Sequence, residues 1–263
     1  MMDQVVPLSR ARRNQVDWLE LMHRQHTVYI LLEADVTETR RAIREYRTRT
    51  GEHISLTTFL TACFAHAVDE YKLLHAYRKG RGKLVIFEDV DVTVMVEREL
   101  DREKIPLPFI IRGANHKNCL EIDQEIKAAR TRAEPHSRAI RWSGPWLLVP
   151  ALIRRFVVAR LLSNPRRRKR ITGTTMLTNP GMFGNGRGWG ISPSMYTASL
   201  VVGSIDTKPG VVDGKIEVRE YLCLTLTVDH DIVDGAVAVR FTQRLKDLIE
   251  SACLLDELQS LAV

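Results

Sequence analysis

The dipeptide Asp213-Gly214 constrains this chain more than any other feature, because it sits between runs that read as strands. Ahead of it lie the mostly apolar Thr197 to Ile205 and then Val211-Val212. Behind it lie Lys215-Ile216-Glu217-Val218 and Tyr221 to Val228. Asp-Gly supplies the positive φ that a tight hairpin turn requires. The C-terminal half is therefore committed to antiparallel β structure.

That β-rich half begins at Gly173. Thr174 to Thr178 reads as a strand stopped by Asn179-Pro180-Gly181, and a loop with Gly184, Gly186, Gly188 and Gly190 follows. From Gly235 the pattern turns helical, with Val237, Phe241, Leu245, Leu248 and Ile249 on one stripe. The N-terminal half mixes both periods. Residues 9–25 read as a helix that Ser9 can cap, and Thr27 to Val36 as a strand. Thr37 to Thr50 is a basic helix stopped by Gly51, and Ser55 opens a second helix that buries Phe59, Leu60, Cys63, Ala67 and Val68. Leu84 to Phe87 and Val90 to Val96 read as short strands. Pro106 and Pro108 belong to a strand edge or loop, and Asn118 to Arg132 is a helix. No fixed-period repeat is present. The order predicts an α+β sandwich built on one large mixed sheet, in a single domain spanning 1–263.

Residues 135–170 differ in texture. Trp142, Trp146, Leu152, Ile153, Phe156 and Leu161 crowd together, interrupted by Arg154, Arg155 and Arg160, and the run Arg166-Arg167-Arg168-Lys169-Arg170 follows. The apolar stretches are too short to span a bilayer. A contact with a membrane surface, or a helix packed within an assembly, would each suit such a segment.

The formal net charge is +7, which favours polyanions, membranes or phosphorylated ligands without choosing among them. No helix-turn-helix or zinc-finger pattern accompanies it, so nucleic acid is not the expected partner. Cys63, Cys119, Cys223 and Cys253 lie far apart, with no Cys-x-x-Cys pair, so neither a metal site nor a disulfide framework is expected. The first residues lack the apolar core of a secretory signal, and a reducing cytoplasm is the expected setting, with peripheral membrane association as its variant.

One histidine stands where chemistry is easily placed. His230 follows the extended run that ends at Asp229 and precedes a turn, with Asp234 four residues on and Gly235 next. Strand ends hold reactive groups firmly, and histidine is a general base near neutral pH. His-x-x-x-Asp alone is a short pattern that a histidine satisfied in a turn would also carry.

The wider pattern is more specific. Leu222 to Gly235, followed by Ala236-Val237-Ala238-Val239-Arg240-Phe241, resembles the C-terminal signature of the 2-oxoacid dehydrogenase acyltransferase family and, more distantly, chloramphenicol acetyltransferase. Val6-Pro7-Leu8-Ser9 with Arg12, Leu56 to Leu60, and Gly173 to Gly184 resemble earlier family segments in the same order. The resemblance covers nearly the whole chain except roughly residues 133–171. It implies a chloramphenicol acetyltransferase-like two-layer sandwich, forming homotrimers or larger assemblies with the active site between subunits. His230 would deprotonate the thiol of coenzyme A or of a dihydrolipoyl group, and Thr178 would donate to the oxyanion beside the histidine of a neighbouring subunit. Asp234 would pair with Arg12, and Gly235 would let the chain turn.

Two departures modify those expectations. Nothing here resembles a lipoyl domain or a peripheral-subunit-binding domain, so the acyl carrier is expected to be free coenzyme A or a lipoyl-bearing partner protein. Asp231 stands where the family usually has arginine. A carboxylate facing the imidazole would raise the pKa of His230 and weaken it as a base, which leaves a non-catalytic assembly protein of the same fold as the alternative.

Overall fold

A computed structural model of the chain describes residues 25–100, 103–131, 146, 149–183 and 188–255, together with Arg13, Val16, Asp17, Leu19 and Glu20. The strands are β1 (Thr27–Asp35), β2 (Tyr77–Lys79), β3 (Lys83–Val85), β4 (Val92–Leu100), β5 (Glu103–Ile111), β6 (Thr175–Thr178), β7 (Ala198–Val212) and β8 (Lys215–Asp229). The helices are α1 (Thr37–Thr50), α2 (Leu56–Glu70), α3 (Cys119–Thr131), α4 (Ala151–Leu162), α5 (Pro165–Thr172) and α6 (Gly235–Ser251). Six strands form one mixed sheet in the order β1-β8-β7-β6-β4-β5. β6 runs parallel to both β4 and β7, and every other pair is antiparallel. This is the mixed-sheet α+β architecture expected from the sequence.

The Asp-Gly hairpin is longer than its separate apolar runs suggest. β7 and β8 are each continuous over 15 residues. Asp213 takes φ +48° at the turn. A bulge between Val202 and Ile205 absorbs Gly203 and Ser204, so the strands keep pairing past a polar interruption. Val211, Ile216 and Val218 are more than 70% exposed at the hairpin's far end.

One face of the sheet is covered by helices. Val92, Val94 and Val96 of β4 and Leu222, Leu224, Leu226 and Val228 of β8 are buried in one cluster with Phe59, Leu60 and Phe64 of α2 and Phe241, Leu245 and Ile249 of α6. α2 is buried along most of its length, so its apolar run is a core helix between its neighbours rather than an amphipathic surface helix. Ser55 caps it by accepting from the Thr58 N–H at 3.1 Å. Gly51 ends α1 in the left-handed region, at φ +74°.

Two local expectations are revised. Leu84 to Phe87 does not join the main sheet. β3 stops at Val85 and pairs only with β2, a strand the sequence pattern did not reveal. Pro106 and Pro108 lie within β5, which is an edge strand of the sheet, where a missing N–H costs no ladder bond.

The texture change at 135–170 corresponds, where described, to α4 and α5. Arg154 is buried and binds Asp17, with Nε–Oδ2 at 2.8 Å and the second nitrogen at 2.7 Å; Arg155 adds a contact at 3.1 Å. Arg154 also donates to the Val149 carbonyl at 2.7 Å. A buried, multiply bonded pair of this kind costs about 3–5 kcal/mol when one partner is removed, so α4 is fastened to the N-terminal helical segment. Leu152, Phe156 and Ile153 on the same helix are 79%, 71% and 52% exposed. Among the described residues, no helix is long and apolar enough to cross a membrane.

His75 is fully buried, and neither ring nitrogen has a partner among the described residues. Burial first, then Lys72 and Lys169 nearby, lowers its pKa to about 4. An unfolded histidine titrates near ~6.5, so between those values the unfolded chain binds more protons and stability rises with pH. We predict that urea unfolding gives roughly 2 kcal/mol less stability at pH 5 than at pH 7 from this residue. His75→Phe should remove that part of the pH slope; an unchanged slope would show that other groups carry it.

Candidate functional site

β8 ends at Asp229, and the chain turns through His230, Asp231, Ile232 and Val233 into α6. The turn is held on both flanks. The Asp229 N–H donates to the Thr197 carbonyl at 2.9 Å, and the His230 N–H donates to the His26 carbonyl at 2.8 Å. The Asp229 carbonyl accepts from the N–H groups of Ile232 and Val233, at 3.1 and 3.0 Å, and its carboxylate accepts from the Asp231 N–H at 3.1 Å. Burial raises the Asp229 pKa, opposed by that N–H. Val233 is buried in the core and pins the turn from below. The His230 side chain is exposed within one chain, on a backbone fixed by its neighbours.

Asp234 caps α6. Its carboxylate accepts from the Val237 N–H at 2.9 Å while its backbone stays extended. The expected partner, Arg12, lies outside the described residues, as do Gly184 and Gly186. Gly235 has an ordinary φ, and the turn is made by the hydrogen bonds around Asp229.

Asp231 faces away from the role its position suggests. Its carboxylate binds His26 Nδ1 at 2.9 Å and also pairs with Arg78 of β2. The hydrogen bond from His26, followed by Arg78, lowers its pKa. The negative charge beside the histidine is thus met by a cation from a distant strand. Neither His26 nor Arg78 was expected at this site. The sequence holds a hint only for Arg78, which opens the basic stretch Arg78-Lys79-Gly80-Arg81-Gly82-Lys83.

Thr178 closes β6, half-buried, paired to Val201, which in turn pairs with Thr225. Thr225 lies five residues before His230 on β8. At ~3.3 Å per residue and ~4.8 Å per strand, Thr178 is roughly 16 Å back along the sheet and two strands across. The reason is directional: β6 is parallel to β7 and β8 antiparallel, so their C-terminal ends point opposite ways. One chain does not bring Thr178 to His230.

The backbone around Thr178 is packed without slack. A Cβ on Gly181 would lie 1.8 Å from the Gly203 carbonyl oxygen, and one on Gly203 would lie 2.5 Å from the Gly188 oxygen. The segment after β6 therefore lies against the β7 bulge at a distance that the missing side chains of Gly181 and Gly203 allow. Asn179 donates to Thr57 Oγ1 at 2.8 Å, and Trp189 donates to the Leu32 carbonyl at 3.0 Å. Two hollows on the described surface run along α1, by Arg41 and Tyr46, and beside α4, by Leu152 and Phe156; neither of these two is lined by His230.

Asp234→Ala should cost about 1 kcal/mol in urea unfolding through the lost cap, and Asp234→Asn should restore most of it. Equal losses for the two would indicate that the charge, rather than the cap, carries the stability.

The family model for the 2-oxoacid dehydrogenases acyltransferase (catalytic domain) matches residues 2–140 and 160–255. A lipoamide acyltransferase component of the branched-chain alpha-keto acid dehydrogenase complex from Bacillus subtilis is 26% identical over 228 residues, which are 85% of this chain and 46% of that protein. The chain spans less than half the length of that relative. The structure of a probable dihydrolipoamide acetyltransferase from Listeria monocytogenes superimposes with a TM-score of 0.68 at 21% identity, covering 95% of both chains. That of the Azotobacter vinelandii dihydrolipoamide acetyltransferase, investigated for a serine, a histidine and an asparagine in its catalytic mechanism, gives 0.68 at 20% identity, covering 97% of this chain and 94% of that one. With a family match along nearly its whole length and a shared fold, this chain belongs to the 2-oxoacid dehydrogenases acyltransferase (catalytic domain) family.

Proposed function

We propose that this protein transfers an acyl group between coenzyme A and a thiol acceptor, with His230 as general base. The acceptor class includes a dihydrolipoyl group on a separate protein. The observation that carries this reading is a spacing. The serine, histidine and asparagine of the Azotobacter enzyme are separated by 52 and 4 residues, and Thr178, His230 and Asp234 are separated by the same 52 and 4. A hydroxyl, an imidazole and a short polar side chain thus recur in the same order and register.

The proposed chemistry uses each side chain once. His230 removes the thiol proton, and the sulfur attacks the thioester carbonyl, forming the new C–S bond. The carbonyl oxygen becomes an oxyanion, to which Thr178 Oγ donates. Loss of one such donor costs about 3 kcal/mol, on the order of a hundredfold in rate. Collapse breaks the old C–S bond, and the departing thiolate takes the proton back from the imidazolium. Asp234 keeps α6 starting where it does and so keeps His230 in place.

The distance between Thr178 and His230 in one chain supports a site completed between subunits, in a homotrimer or an assembly of trimers. His230→Ala should abolish acyl transfer from acetyl-coenzyme A, and Thr178→Val should lower kcat about a hundredfold with KM nearly kept. Mixing and reassembling the two inactive variants should restore part of the activity, because some interfaces then pair an intact His230 with an intact Thr178. No recovery in verified mixed assemblies would place both residues in one chain's site and sink the interface reading.

A membrane-surface contact through α4 and α5 is a second reading. It is favoured by Leu152, Ile153 and Phe156, exposed beside Arg155 and Arg160. Co-sedimentation with anionic liposomes should fall several-fold in Leu152→Ser/Phe156→Ser; equal sedimentation would remove the idea.

A further inference from the structure

Both oxygens of the Asp231 carboxylate are taken. Oδ1 lies 2.9 Å from His26 Nδ1, and Oδ2 pairs with the Arg78 guanidinium. The two partners differ in kind. An imidazole carries charge only when doubly protonated, whereas a guanidinium is cationic at every pH at which an enzyme works. Arg78 is therefore the permanent cation on Asp231. The Asp231 side chain is 28% exposed and that of Arg78 45%, so the pair adds little to stability. Its consequence lies in the residue next to it, His230.

Arg78 is delivered by a firm support. Tyr77, before it on β2, is buried against Phe87, Met195 and Tyr196, and donates to the Gly173 carbonyl at 2.8 Å. The Arg168 guanidinium lies over the Tyr77 ring at 3.9 Å. The Thr197 hydroxyl donates to the Ala76 carbonyl, and the Thr197 carbonyl accepts from the Asp229 N–H at 2.9 Å. The Asp229 carboxylate accepts from the Asp231 N–H, and the Asp231 side chain returns to Arg78. These contacts close a ring, and His230 is the residue between its two acids. His26 joins the ring twice: its carbonyl accepts from the His230 N–H, and its imidazole binds Asp231.

We infer that Arg78 is a positioning residue for His230: its fixed positive charge holds the Asp231 carboxylate in an ion pair and keeps that carboxylate from stabilising an imidazolium at His230. This rests on the acyl-transfer reading for what the imidazole does, and it adds what keeps the imidazole able to take up a thiol proton. A carboxylate left free beside an imidazole favours its protonated form. Paired with a guanidinium, the same carboxylate presents little net charge. Among the described residues, the other charged or titratable groups around the turn are Asp229 and Asp234 on the turn itself, His26 before β1 and Arg168 of α5. Asp229 and Asp234 are held by backbone N–H groups. Asp231 is the acid of the turn that a side-chain cation satisfies.

The test follows acyl transfer from acetyl-coenzyme A by the full-length protein against pH. The acid limb of kcat/KM reports the base of the free enzyme. Arg78→Gln frees the Asp231 charge and should move that limb up by about half to one pH unit, roughly a three- to ten-fold loss of kcat/KM below the limb, with the high-pH plateau kept. Asp231→Asn leaves Arg78 unpaired and should move the limb down. Arg78→Gln/Asp231→Asn removes both charges and should return it to the wild-type position, and Arg78→Lys should hold it there. An arginine with a purely structural role would lower the rate at every pH, and the second substitution would not rescue it. A second readout needs no catalysis. Diethyl pyrocarbonate modifies the neutral imidazole, and the tryptic peptide Glu220–Arg240 has His230 as its only histidine. The pH midpoint of its labelling should move with the limb. A limb and labelling midpoint that stay put in Arg78→Gln would overturn the inference, as would a double variant shifted as far as the single one. The two readings fail separately. Full transfer by His230→Ala, with a labelling midpoint that still moves in Arg78→Gln, removes the catalytic reading alone. Transfer that depends on His230, with an unmoved limb in Arg78→Gln, removes the role of Arg78 alone.

Discussion

The register of β8 is the constraint on which the rest of the structure depends. β8 pairs antiparallel with β1 on one side and β7 on the other. Its alternating Leu222, Leu224, Leu226 and Val228 bury one face against α2 and α6. A shift of one residue would turn those leucines to the other face and their intervening threonines into the core. The same register sets where the strand runs out, and hence where His230 stands relative to His26 and Thr197. Position and stability are fixed by one set of contacts, which is why a strand end can hold an exposed side chain steadily.

Around that strand end the polar groups form a chain of mutual support. Asp229 organises the turn through its carbonyl and carboxylate. Asp231 ties the turn to β1 through His26 and to the small hairpin through Arg78. Asp234 starts the next helix. Three acids within six residues would repel one another if left free; here each is spent on backbone donors or cations. The chain carries a carboxylate beside the histidine, and an arginine arrives from β2 to meet it.

Beyond the turn, two close fits join distant parts of the chain. Gly181, Gly188 and Gly203 let three backbone segments touch beside Thr178. The buried Asp17–Arg154 pair fastens α4 to the N-terminal helical segment, so α4 is part of the folded body rather than an appendage. Its outward side still presents Leu152 and Phe156.

The sequence by itself determined the elements whose signals are local. Asp213-Gly214 made the hairpin, Gly51 and Ser55 marked helix ends, and the alternating valines of β4 declared its buried face. The order of weak motifs also singled out His230, Thr178 and Asp234. What the sequence left open depended on groups far apart in the chain. β2 was hidden because three residues carry no periodicity, and its role exists only through β3 and Asp231. His26 and Arg78 gave no sign of meeting Asp231, since 205 and 153 residues separate them from it. Tertiary structure alone decided that Thr178 lies two strands across and roughly 16 Å back along the sheet from His230. Strand direction is a property of the whole topology, and no spacing along the chain encodes it.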